Sequence, residues 1–410
     1  MKKLLQINVV VNSGSTGRIA EEIGQLAINN GWESYIAYGR NERPSKSKLI
    51  KIGTDWDIKI HGLQTRIFDR HGLASKNATL ELIKQIKEIK PDLIHLHNLH
   101  GYYVNIDILF NYLSLIDIPI VWTFHDCWPI TGHCVYFDSI GCEKWKTLCS
   151  NCPQKKTYPT SYFMDRSLKN YQLKKKLFNS LKNLTIISVS NWLGSIVQQS
   201  FLSDKPMHVI YNGVDTNMFS KKKDTKIREK YNLGTNFIIL GVASVWSPRK
   251  GLNDFFELSK LIDADMKIVL VGLSIKQIRN LPENIIGITK TENTHELAEI
   301  YSTADIFINT SIEETFGLTT AEALSCGTPA IVYNATACPE VINKSTGFII
   351  EKGNMEGILN AVSTVKENGK KFYSECCIQR IKDNFNKNDK YQAYLNLYNQ
   401  LLSPEYLKLT

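Results

Sequence analysis

The stretch Asp305-Ile-Phe-Ile-Asn-Thr-Ser-Ile-Glu-Glu-Thr-Phe-Gly-Leu-Thr-Thr-Ala-Glu-Ala-Leu-Ser-Cys-Gly-Thr-Pro329 decides how this chain folds. It opens on a short apolar run, turns at Gly317 and continues as a short helix ending at Gly327, which is a strand–turn–helix segment. Glu314 and Glu322 stand in it with seven residues between them. Acids at the carboxyl end of a strand, beside a helix N-terminus, sit where open α/β sheets bind ligands. The same residues admit a plainer reading. Thr319-x-x-Glu322 has the pattern of a capping box, and Glu313 and Glu314 could form a solvated turn.

The rhythm extends in both directions. Leu4–Val11, Ser34–Tyr38, Leu93–Leu96, Ile118–Phe124 and Ile186–Val189 read as strands in the first half, separated by helical stretches. Phe237–Val242, Lys267–Val271, Asp305–Asn309 and Pro329–Tyr333 repeat the pattern in the second. Alternation of this kind predicts doubly wound parallel sheets. At 410 residues the chain is long enough for two domains, and its 43% hydrophobic content supplies their cores. The boundary falls near 195–210. A last helix, about 389–402, carries Tyr391, Tyr394, Leu395, Tyr398, Leu401 and Leu402 on one face, which must pack on something.

Charge and composition narrow the function classes. Lys and Arg number 49 against 40 for Asp and Glu, a net +9 that suits an anionic partner: a phosphate-bearing ligand, a nucleic acid or an acidic membrane. No basic-aromatic motif supports a nucleic-acid partner. No run approaches the ~20 apolar residues of a membrane span. Gln6, Asn8 and Asn12 interrupt what would otherwise resemble a signal segment, so a cytoplasmic protein with reduced cysteines is expected.

Several short patterns carry chemistry. Ser13-Gly-Ser-Thr-Gly17 lies between the first strand and the first helix, where Gly14 and Gly17 allow close backbone approach to an anion. A merely tight turn is the alternative, and the spacing is not the dinucleotide fingerprint. Arg249 and Lys250, after the strand Phe237–Val242, could grip a diphosphate or form an ordinary charged loop. His125 ends a strand, where it could contact a substrate hydroxyl, carry a proton or serve only the structure. His95 and His97 share a strand face, a metal pair in form, but with no nearby carboxylate apart from Asp92 a cleft lining is the preferred reading. Cys134, Cys142, Cys149 and Cys152 crowd one loop and suggest a small structural zinc site, with buried reduced thiols as the alternative. Arg166–Leu184 reads as a basic amphipathic helix able to dock on anionic lipid, or as a solvated face.

Taken in order, the segments Pro91-Asp92-Leu-Ile-His95-Leu-His97, Thr123-Phe-His125-Asp126, Ser188-Val-Ser190-Asn-Trp192 and Val209-Ile-Tyr-Asn212-Gly213-Val214-Asp215 form a set with the glycine loop. Arg249-Lys250-Gly251, Glu314…Glu322, Ala323-x-x-x-Gly327-x-Pro329 and Cys338-Pro339-Glu340-Val341 complete it. The ordered set resembles glycosyltransferase family 4, retaining enzymes of the GT-B architecture. The Cys-rich insert 127–152 resembles a subset acting in bacterial surface polysaccharide assembly.

The resemblance implies an α/β fold of two Rossmann-like doubly wound domains facing a central cleft. The expected parts are an acceptor-side domain over 1–200, a nucleotide-sugar-binding domain over 201–388, and a helix over 389–410 that crosses back to the first. It implies transfer of a sugar from a nucleotide sugar, UDP-linked ahead of GDP-linked, to a lipid-linked or oligosaccharide acceptor such as O-antigen, capsule or exopolysaccharide. A peripheral place on the membrane's inner face goes with that acceptor. Glu314 would lie against the donor sugar, Glu322 on the ribose, and Lys250 with Arg249 on the diphosphate. Gly14 or Gly17 would approach the diphosphate, the amides of Phe316, Gly317, Leu318 and Thr319 would add donors, and His125 would contact the sugar. Many relatives carry an Arg where this chain has Ser244, six positions before Lys250. Same-face attack, with a phosphate oxygen taking the acceptor proton, would need no catalytic metal. The rivals are a non-catalytic nucleotide-sugar-binding partner subunit and a GT-B epimerase or phosphorylase.

Overall fold

The computed structural model describes residues 1–223 and 226–404. Of these, residues 1–210 and 391–404 form one compact unit, and the described residues between Tyr211 and Lys390 a second.

The first unit is built on seven parallel strands: β1 (Lys3–Asn8), β2 (Glu33–Tyr38), β3 (Lys48–Lys51), β4 (Leu93–Leu96), β5 (Ile120–Phe124), β6 (Leu184–Ser188) and β7 (Met207–Val209). Their order is β3-β2-β1-β4-β5-β6-β7. The second unit has β8 (Phe237–Val242), β9 (Met266–Val271), β10 (Ile285–Ile288), β11 (Ile306–Asn309), β12 (Ala330–Tyr333) and β13 (Gly347–Ile350), in the order β10-β9-β8-β11-β12-β13. All of its pairings are parallel too. Both sheets are therefore doubly wound and Rossmann-like. Each reverses its strand order beside its first strand, between β1 and β4 and between β8 and β11, and such reversals are where these sheets bind ligands.

Burial explains why the inner strands are plain apolar runs. Every residue of β4, β5, β6, β11 and β12 is buried, because crossover helices cover both faces of a parallel sheet. The edge β3, Lys-Leu-Ile-Lys, is mostly exposed and carries a lysine at each end, a common way of discouraging further strand pairing.

The final helix, Lys387–Leu401, closes the first unit. Tyr391, Tyr394, Leu395, Tyr398 and Leu401 pack with Leu4, Ile19, Ile23, Trp32, Val121 and Ile187. Polar atoms in this contact are paired. The Tyr398 hydroxyl lies 2.6 Å from His95 Nδ1, the other ring nitrogen of His95 lies 2.8 Å from Thr123 Oγ1, and Thr123 donates to the Tyr394 hydroxyl at 3.4 Å. His95 is thus a core residue clamped by the final helix, not the lining of a cleft. His97 is equally buried. Among the described residues no helix is long and apolar enough to cross a membrane.

The seam between final helix and sheet is a testable source of stability. Tyr398→Ala should cost about 3–5 kcal/mol, the scale for deleting a buried aromatic ring. Tyr398→Phe, which removes only the partner of His95, should cost about 1–3 kcal/mol. Urea unfolding of both variants checks this. Midpoints within error of the wild type for both would mean the helix contributes nothing.

Candidate active site

In the second unit, β8 leads through an exposed Ser244 to a 3-10 turn, Pro248–Lys250, and β11 leads to the loop Thr310–Gly317. Because β8 and β11 pair, the two loops are neighbours across the strand reversal. Thr310 ties them together: its hydroxyl lies 3.2 Å from the Lys250 carbonyl and 3.1 Å from that of Gly251 and donates to them. Gly251 has φ +70°, and a Cβ there would lie 2.3 Å from Thr310 Oγ1 and 2.5 Å from the Thr310 carbonyl. Only glycine lets the loops approach this closely.

That approach brings Lys250 and Glu314 into an ion pair, both side chains mostly buried. The Ile312 amide donates to the Arg249 carbonyl at 3.0 Å, and the Arg249 guanidinium donates to the Glu313 carbonyl. Glu314 is held on its other side as well. Its amide donates to Thr336 Oγ1 at 2.8 Å, and its carbonyl accepts from the Ala337 amide at 3.2 Å. A cation and an acid are thus fixed, in contact, at the carboxyl ends of two adjacent strands.

Glu322 lies on the helix Leu318–Ser325, where its carboxylate accepts from the Tyr301 hydroxyl at 3.1 Å. The capping-box reading of Thr319 and Glu322 fails. Gly317, at φ +100°, caps the helix with no side-chain bond, so Thr319 already lies inside it. The amides at the start of this helix have no intrahelical partner, which suits them to an anion. Phe316 points its ring inward, 5.5 Å from that of Phe385, and only its backbone remains for such a role.

In the first unit, the glycine loop forms the start of the helix Gly14–Asn29. A Cβ on Gly14 would meet nothing within 4 Å, so that position is open. A Cβ on Gly17 would come 2.9 Å from Val10 Cγ2 and 3.2 Å from the Asn12 amide, so Gly17 serves the packing of helix on loop. The Asn12 amide donates to the Gly17 carbonyl at 3.1 Å.

His125 follows β5 and is nearly buried. Its Nε2 lies 3.2 Å from His97 Nδ1, and His97 Nε2 lies 3.0 Å from Gln6 Oε1. The two imidazoles stack at 5.5 Å. Next to it, Asp126 Oδ2 contacts His100 Nε2 at 2.6 Å, and His100 Nδ1 contacts the Tyr158 hydroxyl at 3.0 Å. Burial pushes the His125 pKa down to about 4, against the pull of Asp126 and with help from His100. Burial also drives His97 well down, with His95 and His125 adding to it. The pair is therefore neutral near pH 7, and His125 can exchange hydrogen bonds with a hydroxyl but carries no charge there. Gln6, His100, Tyr158, Tyr301 and Thr336 all position these residues. None stands in a recognisable motif, and their sequence distance from their partners hid them.

The remaining expectations concern a loop and a helix. Cys134, Cys142, Cys149 and Cys152 are all reduced and line one small cavity with His133. Among the described residues, no three His, Cys, Asp or Glu side chains stand close enough to hold an ion as placed. The basic helix spans Ser167–Asn179, and Lys174 in its middle is buried, so its cationic face is narrower than the sequence suggests.

Comparison with known proteins follows the two halves of the chain. The family described as Glycosyltransferase Family 4 matches residues 16–218, and the family Glycosyl transferases group 1 matches residues 223–381. WcaC of Escherichia coli (strain K12), named as a candidate colanic acid biosynthesis glycosyl transferase, is 24% identical over 393 residues, covering 88% of this chain and 90% of its own. Among solved structures, sucrose-phosphate synthase from Thermosynechococcus elongatus superposes with a TM-score of 0.73 at 16% identity, covering 98% of this chain and 99% of that one. Anabaena Alr3699/HepE in complex with UDP-glucose superposes at 0.68 and 15% identity, covering 98% and 100%.

The buried histidines make stability fall in mild acid. An unfolded histidine takes its proton near pH 6.5, whereas His125 and His61, the latter also lowered by burial, resist until about 4. Their contribution is complete above about pH 6.5 and is lost as pH drops from there towards 4. Between pH 7 and pH 5, His125 alone should account for about 2 kcal/mol. Urea unfolding at the two pH values checks this: His125→Asn should lose less stability than the wild type, and equal losses would refute the burial account.

Proposed function

Because this chain belongs to the family-4 glycosyltransferases, we propose that it moves a sugar, with retention at the anomeric carbon, from a nucleotide sugar to a growing lipid-linked glycan of a bacterial surface polysaccharide. UDP-linked donors stand ahead of GDP-linked ones, in keeping with the UDP-glucose complex of Alr3699/HepE. The name of WcaC supports the polysaccharide. The observation that carries the reading is the Lys250–Glu314 contact at the strand reversal of the second unit.

The chemistry follows from charge. Departure of a nucleoside diphosphate leaves negative charge on the leaving oxygen. Lys250, Arg249 and the amides of Phe316–Thr319 are the groups that would stabilise it, without a catalytic metal. The Arg249 guanidinium, which donates to the Glu313 carbonyl, would bring positive charge in place of the arginine absent at Ser244. Glu314 would accept hydroxyls of the donor sugar and Glu322 those of the ribose, the latter oriented by Tyr301. In the first unit, Gly14, Gly17 and a neutral His125 would take the roles that the family resemblance gives them.

A lipid-bound acceptor implies contact with a membrane surface. The helix Asp55–Phe68 supports this better than the basic helix does. It exposes Trp56, Ile60, Leu63 and Phe68, and the exposed Tyr162-Phe163-Met164 is bonded through its backbone to Arg66 and Ile67 of that helix. Water-soluble surfaces rarely leave so much apolar area together. Lys59 and Arg66 beside it suit anionic headgroups.

A thermal-shift screen of UDP- and GDP-sugars, followed by transfer assays with extracted lipid acceptors, tests the proposal. The cognate donor should raise the melting temperature. Glu314→Gln, which keeps volume and a contact to Lys250, should fold normally and lose about 10²–10³-fold in turnover. Wild-type turnover in this variant would refute the site, and a melting temperature that no nucleotide sugar moves would refute the function.

A further inference from the structure

The segment from Cys127 to Cys152 contains only three 3-10 turns, Trp128–Ile130, Asp138–Ile140 and Lys144–Lys146. Its apolar side chains Trp128 and Ile130 are buried, and Phe137 stacks on Trp145 at 4.9 Å. At its centre lies a cavity of about 10 Å³, room for roughly one water-sized sphere. The thiols of Cys134, Cys142, Cys149 and Cys152 line it, and those of Cys134 and Cys152 are in hydrogen-bonding contact with each other.

One group that lines this cavity, and one bonded just behind its wall through Thr131, lack what their chemistry demands. His133 is buried, with Nδ1 held 2.6 Å from Asp69 Oδ1, while its Nε2, on a ring that lines the cavity, has no hydrogen-bond partner. Lys174 is buried, and its ammonium donates to the carbonyls of Trp128 and Thr131 at 2.7 and 3.0 Å and sits 3.5 Å over the Trp128 ring. Among the described residues no carboxylate lies within ion-pair distance of it. A buried cation without an anion is costly.

We propose that this cavity is a structural zinc site whose ligands are the thiolates of Cys134, Cys142, Cys149 and Cys152. Zinc takes four soft ligands tetrahedrally, and four thiolates on Zn²⁺ leave a net negative charge. That charge is the missing counterpart of Lys174. A thiolate sulfur in turn gives His133 Nε2 an acceptor, so Asp69 and His133 hold the ligand shell from behind. Binding requires the thiols to converge from their present placement, in which no three of them share a point, and releases their protons. The metal is a staple: it fixes the loop that leaves β5 directly after His125, and it takes no part in transfer.

Metal analysis of the full chain, purified without added metal and passed over chelating resin, tests this. About one zinc per chain is expected, released when an organomercurial caps the thiols. Cobalt exchanged for zinc should show the thiolate charge-transfer and intense visible bands of a tetrahedral site. Cys142→Ser with Cys152→Ser should lose the metal, whereas Cys376→Ser, at an exposed cysteine outside the loop, should keep it. His133→Gln should keep the zinc but release it faster to a chelator. A folded wild-type chain free of zinc, a disulfide between Cys134 and Cys152 in its mass, or zinc that survives the double substitution would each overturn the proposal. So would loss of zinc in His133→Gln together with its retention in Cys142→Ser, which would make the histidine a ligand instead.

Discussion

Parallel pairing of β8 with β11 is the constraint on which the candidate site depends. Two strands that lie side by side in the same direction must release their following loops at the same edge of the sheet, although Glu314 comes 64 positions after Lys250. Their side chains meet because Gly251 and Thr310 let the loops touch at that edge. The site is thus a product of topology first and of residue type second. The ion pair also alters how each residue can be probed. Truncating either side chain strands the other in a mostly buried place, where an ion without a partner is costly, whereas Glu314→Gln keeps an acceptor beside Lys250.

Much of the fold was legible because burial on both faces writes an apolar run into a strand. All nine inner strands could be read that way. The four that could not, β3, β7, β10 and β13, are the four sheet edges. An edge strand has one neighbour and is covered less completely, so Lys48-Leu-Ile-Lys51 and Met207-His-Val209 carry no continuous apolar signal. Ile285-Ile-Gly-Ile288 and Gly347-Phe-Ile-Ile350 have apolar runs of only two and three residues, because a glycine interrupts or begins them.

The candidate site was legible where a motif names residues close in sequence, as with Arg249-Lys250 or His125-Asp126. It was not legible where a role depends on a distant partner. Nothing near Glu322 announces Tyr301, and nothing near His97 announces Gln6. Local pattern also misled. Thr319-x-x-Glu322 satisfies the capping formula, yet the left-handed Gly317 starts the helix two residues earlier and places Thr319 inside it. The histidines His95 and His97 alternate correctly onto one strand face, but the final helix covers His95 there, while His97 packs against His125 and Gln6. Periodicity tells which side a residue faces and not what lies there.

The final helix has a consequence for synthesis. The first sheet is finished by Tyr391, Tyr394 and Tyr398, residues that a ribosome makes after the whole second unit. Until they emerge, Leu4, Val121, Ile187 and the His95–Thr123 pair lack part of their cover. At about 5–20 residues per second, that interval lasts on the order of ten seconds or more. The nascent first half spends it as an incomplete domain with apolar surface open to chaperones. The chain therefore matures in reverse of the usual order, its earliest-made unit being the last to close.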